Sequence, residues 1–235
     1  KMYYEDIGFT YLGPVDGHDI EVLEDILKSS KTIKGPVLIH VITKKGKGYS
    51  YAEKYPDRFH GTSSFDIKTG EKLSKKTKDY SKVFGDKLCE MAIKNNNIVA
   101  VTAAMMDGTG LSCFKDKFKN RFFDVGIAEQ HAIGLIAGMA KAGLKPYFPV
   151  YSSFLQRGYD QLIHDIALQN LPVVICVDRA GIVGNDGETH QGIFDISMLL
   201  PIPNIIIASP SNKEEMDDLI NLSINTKAPF VIRYP

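Results

Sequence analysis

Phe122-Phe123-Asp124-Val125-Gly126-Ile127-Ala128-Glu129-Gln130-His131-Ala132 joins a short apolar run to the start of a helix through a single glycine. The run Phe122–Val125 predicts a strand, and the small residues Ala132, Gly134, Ala137, Gly138 and Ala140 continue into a helix expected near 128–142 that can approach a neighbour closely. The same rhythm extends in both directions. Upstream, a helix near 80–95 precedes a strand at Ile98–Thr102. Downstream come a strand at Tyr147–Tyr151, a helix near 154–169, a strand at Val173–Val177 and a glycine-rich loop. A strand at Ile205–Ala208, a helix near 212–224 and a strand at Phe230–Arg233 close the series, with Ser211 and Glu214 expected to form a capping box for the last helix. Short β-rich runs alternating with helices imply an α/β fold, a parallel sheet flanked by helices.

The first 70 residues follow a different text. Ile20, Val22, Leu23, Ile26 and Leu27 recur at helical spacing between Asp19 and Ser30, and Gly35-Pro36 breaks that helix before a strand-like run, Val37–Ile42. Beyond Thr43 the chain turns irregular and charged. These features predict an incomplete first domain over 1–70, a linker over 71–79 and a second domain over 80–235. The start on Lys1 and the end on Val231-Ile232-Arg233-Tyr234-Pro235 read as cuts in a longer protein.

Composition narrows the function classes. Lysine plus arginine (28) equals aspartate plus glutamate (28), so no global field draws the chain to nucleic acid or to an acidic membrane surface. No apolar run has the ~20 residues that span a bilayer, and no secretion signal opens the chain, which implies a cytoplasmic protein. Cys89, Cys113 and Cys176 lie far apart in sequence and lack zinc-ligand spacing, in keeping with a reducing compartment.

In a parallel sheet, ligands gather beyond the carboxyl ends of the strands. Three such places carry chemistry-capable groups: Asp124–His131, Tyr151–Arg157 and Asp178–Gln191. Glu129, in the first turn of its helix, is favoured as an anion by the helix dipole and opposed by desolvation, a balance that lets a carboxylate share a proton with a ligand nitrogen; by itself it also fits an acid that only satisfies the dipole. Phe154 and Tyr151 offer aromatic faces to a flat heterocycle, or to the core. Arg157, three residues after Phe154, suits a phosphate or a carboxylate, or solvent. The loop after Asp178 combines Gly181, Gly184 and Gly187 with Arg179, Asp186, Glu188 and His190, more polar groups than a structural loop needs, yet matches no nucleotide fingerprint. His190 could act as a general acid or an orienting donor, and Asp186 could bind substrate or hold the turn. Tyr49, after the basic turn Lys44–Gly48, is a candidate cap over a ligand; His18 fits a turn or helix start, His40 a structural place in its strand, and His60 has no pattern of its own.

Four segments in order, Tyr11–Asp19, Thr43–Tyr49, Asp124–Ala132 and Asp178–Gly192, resemble the 1-deoxy-D-xylulose-5-phosphate synthases, transketolase-like enzymes dependent on thiamin diphosphate. The stretch Ile127–His131 is shared by transketolase-like enzymes broadly, whereas Asp178–Gly184 points to the synthases. The resemblance implies that residues 1–70 are the C-terminal part of a diphosphate-binding domain and 80–235 a pyrimidine-binding domain. It implies condensation of pyruvate with D-glyceraldehyde 3-phosphate, with loss of carbon dioxide, by a homodimer. Glu129, His190 and His60 match catalytic positions; Glu129, Tyr49, Phe154 and Tyr151 match cofactor contacts; Arg157, Arg179, Asp186 and His190 match substrate-side positions. The family's Gly-Asp-Gly segment with a following asparagine, which holds magnesium and the cofactor diphosphate, has no counterpart here, so the Mg2+ ligands are expected outside this chain, which alone is expected to be inactive. Another transketolase-like enzyme would share Glu129 and Phe154 but not the 178–191 loop. A non-catalytic interaction fragment would keep the fold without the chemistry.

Overall fold

Six parallel strands form the main sheet of the computed structural model, which describes residues 3–56, 58–73, 79–183 and 187–235. The chain divides into two compact units, Lys1–Lys76 and Thr77–Pro235; of the expected linker, residues 74–78 lie outside the described residues.

In the first unit, β1 (Thr10–Asp16) pairs in parallel with β2 (Val37–Ile42), and α1 (Ile20–Ser30) connects them. Asp19 caps α1 by accepting a hydrogen bond from Val22 N at 3.1 Å. A strand over 10–16 was absent from the sequence expectations because Gly13 and Pro14 interrupt its apolar pattern, yet the ladder to β2 holds it. The histidines nearby are structural: His18 Nε2 accepts from Lys44 N at 2.7 Å, and His40 Nδ1 lies 2.6 Å from the Tyr11 hydroxyl. A short helix, α2 (Ser50–Lys54), follows the basic turn.

The second unit runs α3 (Tyr80–Lys94), β3 (Ile98–Thr102), α4 (Ser112–Lys117), β4 (Phe122–Asp124), α5 (Glu129–Lys141), β5 (Lys145–Tyr151), α6 (Ser152–Leu155), β6 (Val174–Asp178), α7 (Asp195–Leu199), β7 (Ile206–Ala208), α8 (Lys213–Ser223) and β8 (Phe230–Arg233). The sheet order is β4-β3-β5-β6-β8-β7, all parallel. Alternation along each strand divides the core between two faces. Ile175 and Val177 of β6 join Phe148, Val150 and Val231 against Ile133 and Ile136 of α5. Val174 and Cys176 join Ile98, Ala100, Phe230 and Ile232 against Phe84 and Leu88 of α3 and Met216 and Ile220 of α8. Every residue of β6 is buried, Val174–Val177 forming the apolar run of a central parallel strand that closes on Asp178.

Two expectations need correction. The helix expected near 154–169 begins at Ser152 and is broken into α6, a 3₁₀ turn over Gln156–Gly158, a turn over Tyr159–Gln161 and a π-helical segment over Leu162–Ala167. Gly158 sits within this irregular stretch where the chain passes close to α5: a Cβ there would lie 2.1 Å from Ile133 Cδ1. The last helix is capped one residue later than expected. Asn212, not Ser211, accepts from Glu215 N at 2.8 Å, and the carboxylate reaching back belongs to Glu215, not Glu214, accepting from Ser211 N at 2.7 Å. Cys89 and Cys113, remote in sequence, bring their Sγ atoms to 2.9 Å as α4 packs on α3, and all three cysteines are free. Among the described residues no helix is long and apolar enough to cross a membrane.

Candidate active site

Because the strands are parallel, the carboxyl ends of β3, β4, β5 and β6 open on one edge of the sheet, and the loops that leave them carry the candidate residues. Asp124 ends β4 and ties the turn after it, accepting from Gly126 N at 3.0 Å and from Ala104 N at 2.9 Å. Gly126, at φ +73°, turns the chain into α5, whose first residue is Glu129. That carboxylate is 2% exposed, so water solvates little of its charge. The N-terminus of α5 and Arg157 take over that role. Arg157 Nη1 lies 3.3 Å from each carboxylate oxygen, while half of the arginine side chain stays open to solvent. His131 is exposed beside it.

Beyond β5 the aromatic pair takes shape. Tyr151 and Phe154 stack with their ring centres 5.7 Å apart and their planes 9° from parallel. Arg157 places its guanidinium 5.5 Å from the Phe154 ring centre, and His190 meets the same ring edge-on at 5.3 Å. Phe154 therefore connects two of the three loops, and Arg157 connects it to Glu129. In the same segment, Ser152 Oγ and Ser153 Oγ are buried and find no hydrogen-bond partner among the described residues.

The third loop leaves β6 at Asp178, which is paired in register with Tyr151. Asp178 is fully buried; Ser81 Oγ donates to it at 2.7 Å, and Arg179 donates through Nη1 at 2.7 Å and through its backbone N at 2.8 Å. Burial pushes the Asp178 carboxyl up to about 6, against the pull of Arg179 and Ser81. The Arg179 guanidinium lies 4.8 Å from the Tyr151 ring centre. Gln191 closes the loop, its Oε1 accepting from Val183 N at 2.7 Å and its Nε2 donating to Val183 O and Gly187 O. Gly192 brings the loop's returning segment in: a Cβ there would meet Arg179 O at 2.3 Å and Ser152 Cβ at 2.5 Å. Asp186, expected on the substrate side, lies outside the described residues.

The structure thus brings Glu129, Tyr151, Phe154, Arg157, Arg179 and His190 to one edge of the second unit. Tyr49 and His60 belong to the first unit. Tyr49 precedes α2; its hydroxyl donates to Ile67 O at 2.9 Å, and its ring meets Phe59 edge-on at 5.4 Å and Phe65 at 5.8 Å. His60 is exposed. Sequence reasoning gave no role to Asp178 and overlooked Ser81. The first carried a signal, an acid closing a buried strand; the second, 97 residues away on α3, carried none.

A family model described as the pyrimidine binding domain of transketolase matches residues 76–235. The chain belongs to that family. A second model, described as 1-deoxy-D-xylulose-5-phosphate synthase, matches residues 1–43. Curated relatives named 1-deoxy-D-xylulose-5-phosphate synthase include one from Caldanaerobacter subterraneus subsp. tengcongensis, 59% identical over 234 residues. Another, from Natranaerobius thermophilus, is 56% identical over 236 residues. Each match covers 100% of this chain, but the chain spans only 38% and 37% of the two relatives. Among solved structures, transketolase from Campylobacter jejuni superposes with a TM-score of 0.61 at 18% identity, over 98% of this chain and 47% of that one, a likeness of fold. Within this transketolase-like family the site's donor set suits the pyrimidine end of thiamin diphosphate: a buried carboxylate faces the edge, stacked aromatic rings supply a flat face, and two buried serine hydroxyls are unmatched. For a metal there is no comparable fit, since among the described residues no three His, Cys, Asp or Glu side chains converge.

Proposed function

We propose that this chain carries the pyrimidine-side half of the active site of a 1-deoxy-D-xylulose-5-phosphate synthase, a thiamin diphosphate-dependent transferase that condenses pyruvate with D-glyceraldehyde 3-phosphate and releases carbon dioxide. The observation that carries this reading is Glu129, buried at a helix N-terminus and linked through Arg157 to the Tyr151–Phe154 stack. When bound, thiamin diphosphate supplies the electron sink for the carbon–carbon chemistry.

The residues divide the remaining work. Glu129 hydrogen-bonds a ring nitrogen of the aminopyrimidine and moves a proton at that atom, which needs a carboxylate shielded from water. Phe154, stacked with Tyr151, would offer an aromatic face to hold the pyrimidine. Arg157, half open to solvent, and Arg179 offer planar donor forks to the acceptor's phosphate, while His190 and Asp186 contact the acceptor. Tyr49 as a cofactor contact and His60 near the reacting carbon complete the assignment. Residues 1–70 are assigned to the end of a diphosphate-binding domain and 80–235 to the pyrimidine-binding domain, with Mg2+ held by residues outside this chain. The protein is proposed to act as a cytoplasmic homodimer, with neither nucleic acid nor membrane as a partner.

The test is an assay of the full-length protein with pyruvate, D-glyceraldehyde 3-phosphate, thiamin diphosphate and Mg2+, with the product identified by mass. Deoxyxylulose phosphate is expected. Ketol transfer between sugar phosphates without it would favour another transketolase-like enzyme, and no turnover with either set would favour a non-catalytic role.

A further inference from the structure

We infer that Asp178 and Ser81 are positioning residues that aim the Arg179 guanidinium across Tyr151 toward the acceptor's phosphate, and so set the preference for a phosphorylated acceptor. This inference rests on the proposed synthase reading and adds to it two residues that never touch substrate.

The geometry is specific. Asp178 ends a strand on which every residue is buried, and its two oxygens are divided: Oδ2 accepts from Ser81 Oγ, while Oδ1 accepts from the backbone and the guanidinium of Arg179. Ser81 Oγ in turn accepts from Arg179 Nη1 at 3.0 Å, so one guanidinium nitrogen is fixed between two buried oxygens. Such pinning removes the rotamer freedom that a long cationic side chain otherwise loses on binding. The backbone is committed to the same end. Arg179 sits at φ +56°, a left-handed conformation strained for a residue with a Cβ, and there its side chain turns back over the end of its own strand. Because Tyr151 and Asp178 are register partners on adjacent strands, the pinned guanidinium lies over the Tyr151 ring, on the edge that also holds Phe154 and His190.

A merely structural network would also explain a buried Asp–Arg pair, and the difference is measurable. A structural role makes no distinction between acceptors, whereas a positioning role acts through the phosphate. The experiment compares the full-length wild type with Asp178→Asn and Ser81→Ala, using D-glyceraldehyde 3-phosphate and unphosphorylated D-glyceraldehyde as alternative acceptors. Losing a charge-assisted hold on the arginine is expected to lower the ratio of kcat/KM for the phosphorylated over the plain acceptor by about 10-fold or more in Asp178→Asn, chiefly through KM. Ser81→Ala, which removes one neutral hydroxyl, is expected to lower the same ratio about 3-fold. The KM for pyruvate and the Kd for thiamin diphosphate should stay within about 2-fold of wild type, because neither involves the arginine's aim. Equal losses on both acceptors, or an unchanged ratio, would overturn the inference. Should Asp178→Asn fail to fold, the ratio in Ser81→Ala decides. Wild-type protein that forms no deoxyxylulose phosphate would instead refute the synthase reading itself.

Discussion

Arg157 holds Glu129 symmetrically, one guanidinium nitrogen 3.3 Å from both carboxylate oxygens, and it does so from a half-solvated position over a carboxylate that is almost wholly buried. The pair is therefore asymmetric in cost. Removing Arg157 leaves a buried charge with less compensation, whereas removing Glu129 returns the arginine to water. We expect Arg157→Met to destabilise the protein by about 1–2 kcal/mol, less than a fully buried pair would lose because the arginine is half exposed. In a urea-unfolding double-mutant cycle, Glu129→Gln should cancel most of that loss. Additive effects would show that the two side chains do not interact in solution.

Phe154 is the ring on which Tyr151, Arg157 and His190 converge. Phe154→Ala removes a stacking face as well as apolar area, and we expect thiamin diphosphate affinity in the full-length protein to fall about 10-fold, with Phe154→Tyr retaining most of it. Isothermal titration calorimetry in the presence of Mg2+ reads the change. Equal affinity for Phe154→Ala and wild type would place the heterocycle elsewhere.

Gly110 lets the loop after β3 cross the start of α3. It sits at φ +78°, and a Cβ would fall 2.0 Å from Ser81 O, a backbone atom that cannot step aside without moving the helix. Gly110→Ala is expected to cost about 2–4 kcal/mol, from left-handed strain plus overpacking. For a chain of this size that corresponds to a drop of roughly 5–15 °C in Tm by calorimetry. A shift below about 2 °C would mean that the loop relaxes freely.

The core topology was legible because β6 is apolar up to its closing Asp178, and β3 and β8 carry similar apolar runs before Thr102 and Arg233, the text of a covered parallel sheet. The place of Glu129 at a helix start was legible for a related reason: a four-residue turn pivoting on Gly126 separates β4 from α5, and the helix opens directly after it. What escaped was tertiary in origin. Gly158 packs closely against Ile133 on another helix, β1 exists only through its ladder to β2, and Ser81 reaches Asp178 across 97 residues. Asn212 outcompeted Ser211 as a cap by a single residue, a distinction that local pattern does not resolve when both are good caps.

Lys145 opens β5 at the end of the strand remote from the candidate site, buried, with its Nζ donating to Thr226 O at 3.0 Å. Burial, with Lys227 adding repulsion, pulls its ammonium down from 10.5 to about 8. The folded state therefore releases this proton near pH 8 while the unfolded chain holds it to 10.5, so stability rises with pH across that window. Lys145→Met should remove the effect. The variant is expected to be about 1–2 kcal/mol more stable than wild type at pH 7, after allowance for partial solvation of the ammonium, with the gap closing as pH climbs past 8. Denaturant unfolding at a series of pH values measures it, and a gap independent of pH would contradict the assignment.

The central claim is that Glu129 moves a proton at the pyrimidine ring, and the most direct test is the rate at which full-length Glu129→Gln forms deoxyxylulose phosphate. The substitution keeps the size and the hydrogen-bonding reach of the side chain and removes only its capacity as a carboxylate. The expected result is a kcat lower by about 10²-fold or more, with the circular dichroism spectrum unchanged. Turnover within about 3-fold of wild type in a folded Glu129→Gln protein would contradict the account.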